Sequence, residues 1–223
     1  RPVFSNPVIC LKTLISIHTL MQDCPFEVLK QLRDRISLLV DIRDVWTSDK
    51  HAKDPNYTKL IVEYSTYLIN RLRFSQRYPM FEGNFAVDAF VQSQELTKLD
   101  KIIGKEAPFT VPAVTELLEL ISALDKVQVL AFKDRANSCK MAAIFPLIYD
   151  AEDMYLVSTH LLHKMSTKLQ QRELAGALSQ YSSVYHLLLN FFSTADKFKP
   201  VSSVVPVPKL SINPPQIASA VNI

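Results

Sequence analysis

Five histidines, three cysteines and one acidic cluster are the residues of this chain from which acid–base, nucleophilic or metal chemistry could be built. His160 and His163 stand three apart, which puts two imidazoles on one helix face where they could share a metal. Zinc requires three or four ligands, and no Cys pair or Glu-x-x-His partner stands beside them. With Lys164 adjacent they read as a solvent-facing pair. His18 falls among positions expected to be buried, where a bond to a neighbouring carbonyl accounts for it, and His186, flanking an apolar face, reads the same way. Asp150, Glu152 and Asp153 have the composition of an acid–base pair, but they fall where a helix is expected to begin, and the helix dipole explains carboxylates there. Lys50, His51 and Lys53 form a small basic loop that could meet phosphates, although most such loops are solvated. Tyr57, Tyr64 and Tyr67 read as helix-packing residues. Cys10, Cys24 and Cys139 are scattered through apolar patterns and are expected as reduced, buried thiols of a cytosolic protein. No serine has a Gly-x-Ser-x-Gly setting and no nucleophile stands beside an evident base. The residues therefore predict no catalytic site, no cofactor, no metal and no enzyme.

Three glycines among 223 residues argue against β-hairpins and remove both the P-loop and the Gly-x-Gly-x-x-Gly signature. An apolar share of 48% with 21% charged residues fits a globular protein, and no run of about 18 apolar residues is present to span a bilayer. The net charge of +3 leaves no basic stripe of the kind nucleic-acid binders carry.

Helical periodicity supplies the elements. Pro7 suits the first position of a helix through Met21, whose apolar residues cover more than half its circumference, so neighbours are expected on two or three sides and the rest of the chain around it. A short helix follows from Phe26 and another from Ile36, then a polar loop over residues 47–55. A long rod runs from about Asn56 to Tyr78, with Arg71, Arg73 and Arg77 in its last turns, where cations suit the helix end. Met80–Phe85 is expected as an aromatic loop and Leu96–Ile103 as a shorter helix. Another helix begins at Thr110 or Val111 with Pro112 in its first turn. The next starts at Asn137 or Ser138 and is expected to kink or break at Pro146, at a cost of about 3 kcal/mol. Met154–Met165 carry a further helix and Gln170–Phe198 the last. From Pro200 the chain reads as extended, with Val204, Val205, Val207, Leu210 and Ile212 laid back on the helices. The pattern predicts an all-α superhelical solenoid of about seven to eight helices, with residues 1–199 as the helical domain and 200–223 as an extended Pro-rich segment packing on it.

Several stretches resemble one family. Leu11-Lys12-Thr13-Leu14-Ile15-Ser16-Ile17-His18 is similar to a helix of ANTH domains. Leu60-Ile61, Tyr64, Leu68, Leu72 and Phe74, followed by Phe81-Glu82-Gly83-Asn84-Phe85, resemble the huntingtin-interacting-protein type of endocytic adaptor. Pro146-Leu147-Ile148, Val205-Pro206-Val207-Pro208-Lys209-Leu210 and Pro214-Pro215 resemble the end of the same domain. The resemblance implies a membrane adaptor that recognises phosphatidylinositol 4,5-bisphosphate in clathrin-mediated endocytosis, peripheral on the cytoplasmic side of the plasma membrane at coated pits. It implies co-assembly with the ENTH domain of epsin, and clathrin light chain and actin as partners of regions outside this chain.

One departure stands out. The family's lipid motif, Lys-x9-Lys-x-(Lys/Arg)-(His/Tyr), is absent; Lys133-Asp134-Arg135 and Lys197-Phe198-Lys199 come nearest and lack the final His or Tyr. No lipid-contacting residue is therefore carried over, and the basic segment is expected upstream of Arg1, where N-terminal helices are expected to be missing. A multiply charged headgroup needs several converging cations, each worth about 1 kcal/mol at an anionic surface, so weak binding is expected from this chain alone. The alternative is a helical scaffold that holds a partner helix in an apolar groove and touches no lipid.

Overall fold

In the computed structural model of the chain, which describes residues 2–23, 26–48, 55–78, 85 and 107–217, the side chain of Asn6 starts the first long helix. Its Oδ1 accepts the backbone N–H groups of Val8 at 3.0 Å and Ile9 at 3.1 Å, two donors that a helix N-terminus leaves without partners. Pro7 then occupies the first position of α1 (Pro7–Asp23), where its missing N–H costs nothing. A 3-10 turn (Pro2–Phe4) precedes it. The helices α2 (Phe26–Asp34), α3 (Ile36–Thr47) and α4 (Pro55–Arg77) follow. After them come α5 (Ala107–Phe132), a single turn α6 (Ser138–Ala142), α7 (Ile144–Ser166), α8 (Gln171–Lys197) and a single turn α9 (Lys199–Ser202). No strand occurs among the described residues. The expected helix over Leu96–Ile103 and most of the Met80–Phe85 loop lie outside them.

The helices stack in sequence. α4 packs against α3 on one side and α5 on the other, and α5 packs in turn against α7 and α8. Tyr57 near the start of α4 donates to Asn137 beyond the end of α5 at 3.0 Å, while Tyr78 after α4 donates to Glu116 early in α5 at 2.9 Å, so these two rods are antiparallel. α5 and α8 run parallel: Gln180 reaches the Thr115 carbonyl in their first halves, and the rings of Phe132 and Phe191 meet at 6.4 Å near their ends. α7 returns between them as a hairpin with α8, closed by a bond between Thr159 and Tyr181 at 2.9 Å and by stacked rings of Tyr155 and Tyr181 at 6.0 Å.

Two expectations need correction, and one is met. α1 is not the hub: Val8, Ile9 and Leu20 are exposed, and the most enclosed rods are α4, α5 and α7. A broad apolar stripe fixes how much of a helix wants cover, not how much receives it. The break expected at Pro146 is present and lies just ahead of it: α6 ends at Ala142, the residue whose carbonyl the Pro146 ring would meet in a continuous helix, and α7 begins afresh at Ile144, which leaves Pro146 in the first turn. There the absent N–H had no helical partner to lose. Pro112 is the reverse case. α5 starts earlier than expected, at Ala107, so Pro112 lies inside the helix rather than in its first turn.

The tail also differs in part. Lys199–Ser202 is a helical turn with Pro200 at its second position, a site that suits proline, and extended chain follows. Val201 and Val205 are buried and Val207 and Leu210 pack partly on the core, but Val204 is 68% exposed and Ile212 82%.

Candidate functional site

Three of the apolar faces each bury one histidine, arginine or aspartate. On α1, His18 follows Leu11 and Leu14; on α4, Arg71 lies among Tyr64, Tyr67, Leu68 and Leu72; on α7, Asp150 lies between Leu147 and Met154. The fold brings all three to one point. Arg71 Nη2 donates to Asp150 Oδ1 at 3.0 Å, and Arg71 Nε lies 2.7 Å from Oδ2 at an angle too poor for a hydrogen bond. His18 Nε2 stands 2.8 Å from Oδ2, the Tyr67 hydroxyl donates to the same oxygen, and Gln22 donates to Oδ1 at 2.7 Å and to the Pro146 carbonyl at 2.8 Å. An ionised carboxylate only accepts, so His18 carries its proton on Nε2 and Nδ1 accepts from the Tyr64 hydroxyl at 2.8 Å. The Phe85 ring closes the far side of Arg71, 5.2 Å from its guanidinium carbon.

Charge in this knot is confined to Arg71 and Asp150. Burial alone would push the Asp150 carboxyl up, but the Arg71 guanidinium, then His18 and the hydrogen bonds, outweigh it and hold the group well below the usual carboxylate range. For His18 burial wins over the attraction of Asp150, so its pKa is lowered and the imidazole is neutral. Burial, and then the Asp150 charge, push both tyrosines well above their ordinary value. A histidine–carboxylate pair has the parts of a proton relay, yet all four acceptor directions of this carboxylate are filled; His18, Tyr64, Tyr67, Arg71 and Asp150 are buried and Gln22 is half-buried at the edge. No nucleophile faces it among the described residues. The arrangement holds three helices in register.

Three of the sequence readings are corrected here. His18 bonds a tyrosine and a carboxylate, not a neighbouring carbonyl. Asp150, Glu152 and Asp153 do not sit at a helix start, because α7 begins at Ile144, more than a turn upstream of Asp150. Arg71 likewise serves the interior rather than the end of α4, a role left to Arg77, which pairs with Glu116. Arg71 and Gln22 are the members that side-chain chemistry alone did not single out. The signal was a cation on an apolar helix face, which demands a buried anion elsewhere.

The remaining candidates stay apart. His160 is half-buried and His163 exposed, and no group of three metal-binding side chains occurs among the described residues. His186 is exposed, its ring against Tyr185 at 6.1 Å. Lys50, His51 and Lys53 lie outside the described residues. Tyr57 packs under the Lys140 ammonium, 4.1 Å from the ring centre. A cleft of about 580 Å³ opens between Arg73, Phe74 and Arg77 on α4 and Val111, Glu116 and Leu120 on α5. Its lining mixes arginines with glutamates and offers no histidine, cysteine or serine. Two segments that the sequence keeps apart, Lys133-Asp134-Arg135 and Lys197-Phe198-Lys199, do come together, with Arg135 over the Phe198 ring at 5.8 Å.

Comparison with known proteins adds four findings. The ANTH domain family matches residues 2–222. The chain is 25% identical to "Endocytosis protein end4" of Schizosaccharomyces pombe over 100% of its own length and 20% of that protein. It is 27% identical to "Protein SLA2" of Saccharomyces cerevisiae over 97% of itself and 22% of that protein. It thus spans about a fifth of the length of these relatives. In fold it is similar to the ENTH domain from epsin-2, solved in complex with phosphatidylinositol 4,5-bisphosphate, with a TM-score of 0.79 at 23% identity, covering 94% of this chain and 79% of that one.

Proposed function

The chain belongs to the ANTH domain family, and from that membership we propose that it is the membrane-binding part of an endocytic adaptor that recognises phosphatidylinositol 4,5-bisphosphate and catalyses no reaction. The observation that carries the reading is the family match across nearly the whole chain. The relatives bear endocytic names, and the epsin-2 domain of the same fold was solved with this lipid. The described interior supports an adaptor rather than an enzyme, since the His18–Asp150 pair is buried and its carboxylate saturated.

In this reading the adaptor works at the cytoplasmic face of the plasma membrane in clathrin-coated pits. It co-assembles with an epsin-type ENTH domain, and regions outside this chain reach clathrin light chain and actin. Residues 1–199 form the helical domain and 200–223 a segment laid back on it, which the bond from Tyr185 to the Ser211 carbonyl supports. No residue of this chain is assigned to the headgroup, because the family's basic motif does not occur in it.

Liposome co-sedimentation tests the proposal. The protein's full N-terminal region should sediment with phosphatidylcholine vesicles carrying the bisphosphate lipid, and less with vesicles brought to the same charge by phosphatidylserine. Equal binding to both would remove the headgroup specificity. Binding to neither would favour a helical scaffold that holds a protein partner.

A further inference from the structure

α5 and α8 run parallel, so Lys133-Asp134-Arg135 and Lys197-Phe198-Lys199 emerge at the same end of the bundle. The rings of Phe132 and Phe198 meet edge to face at 6.3 Å. The Arg135 guanidinium lies across both, 5.6 Å from one ring centre and 5.8 Å from the other, which ties the two segments into one surface. Lys133, Arg135, Lys197 and Lys199 are all exposed, as is Lys126, two turns earlier on the face of Lys133.

Cations near helix C-termini have a bland explanation in the helix dipole. It covers Lys133 and Lys197. It extends to Arg135 and Lys199, which follow the ends of α5 and α8 within three residues, but not to Lys126, well inside α5, nor to the aromatic pair that fixes Arg135. Local acids do not cancel the charge either. Asp134 is taken by the buried Lys140 ammonium at 3.1 Å, and Asp125 and Asp196 remain. Segments 125–140 and 196–199 hold six basic residues against three acidic ones, a charge of +3 that equals the net charge of the whole chain. Set among these cations are two exposed valines, Val129 at 45% and Val204 at 68%. Val204 follows α9 directly, its N–H bonded to the Val201 carbonyl at 3.0 Å.

A free polyphosphate needs cations that converge in a cavity. Here they are spread across two helix ends with apolar side chains between them, which suits a surface that is anionic outside and apolar beneath. We infer that this end of the bundle is a second membrane-docking surface, taking acidic phospholipids by charge and shallow apolar contact without reading one headgroup. The inference rests on the adaptor reading above, since only a protein held at a membrane has use for it.

The test uses the 223-residue chain, phosphatidylcholine vesicles containing phosphatidylserine, and two charge-matched variants. K197E/K199E alters the patch at exposed sites; K12E/K30E makes the same charge change at exposed sites on α1 and α2. Circular dichroism melts establish that both fold. The unmodified chain should sediment at low salt and be released at high salt. K197E/K199E should lose at least about tenfold in partitioning and K12E/K30E less than about threefold, given the roughly fivefold worth of each cation near an anionic surface. Equal losses in the two variants, or no sedimentation of the unmodified chain at low salt, would overturn the inference. So would full competition by soluble inositol hexakisphosphate or by polyglutamate at equal charge concentration, which would make the patch a polyanion or acidic-peptide site. Failure of the adaptor reading looks different: the full N-terminal region would show no preference for the bisphosphate lipid, whatever these variants do.

Discussion

Arg71 and Asp150, 79 residues apart, meet between α4 and α7 with both side chains 2% exposed. Taking two charges out of water costs several kcal/mol each, and their attraction repays this only when the remaining donors and acceptors are filled. His18, Tyr67 and Gln22 fill them. The pair therefore depends on residues from α1 as well as α4 and α7, and α1 on the pair.

Removing one partner should accordingly cost more than removing both. Arg71→Met leaves a buried carboxylate without its cation, and Asp150→Leu strands the guanidinium; each should lose about 3–5 kcal/mol in urea unfolding. The double variant should recover a substantial part of that loss. If the double variant is as unstable as the sum of the singles, the two groups are not coupled as their geometry implies.

Stability should fall with acid in two stages. His18 has a lowered pKa in the folded state, so below its ordinary value of about 6.5 the unfolded chain binds a proton that the folded chain resists. Stability is full above that pH and declines beneath it. Asp150 is also lowered, so its contribution is present above the unfolded value of about 3.9 and disappears as pH drops further. Denaturant titrations across pH should show both stages, and His18→Gln should abolish the upper one while sparing the lower. An upper stage unchanged in that variant would move its origin to another group.

The rods were legible because period and punctuation are local. Pro7, the run from Tyr57 to Leu72, and Asn137 as the start of α6 each announce themselves within a few residues. Asn137 indeed accepts the Lys140 N–H at 3.2 Å. What periodicity does not carry is the identity of the facing residue. Arg71, read from its own helix, looked like a cation suited to a C-terminus, and Asp150 like an acid suited to an N-terminus. Only the observation that both lie on apolar faces, with opposite charge, could have joined them. Pro146 announced its break, because its ring excludes the helical carbonyl four residues back, at Ala142, where α6 ends. Val204 and Ile212 show the limit at the tail, where apolar side chains were expected inside and lie in solvent.

Alkylation should distinguish the described thiols. Burial, partly offset by a hydrogen bond with Trp46, pushes the Cys10 thiol up to about 12, and the side chain is fully enclosed. Cys139 is half-buried and not so enclosed. Because the thiolate is the attacking form, iodoacetamide near neutral pH should label Cys139 in the native protein well before Cys10. Peptide mass spectrometry reads the order, and equal rates would mean that the α1 environment opens freely.

The tail offers a local test. The Tyr185 ring is buried, and its hydroxyl donates to the Ser211 carbonyl at 2.7 Å, with the Asn213 carbonyl 3.2 Å away. Tyr185→Phe keeps the ring and removes only that tether, worth about 1 kcal/mol for a typical hydrogen bond. Global melting should shift little, because Val201 and Val205 remain buried on the helices whether or not the residues beyond them are held. Amide exchange over residues 206–217 should instead speed up severalfold, without change in α4 or α7. If exchange there is unaltered, the tail is held by the packing of Val207 and Leu210 alone. If α4 and α7 also loosen, the tail is part of the cooperative core rather than a strap across it.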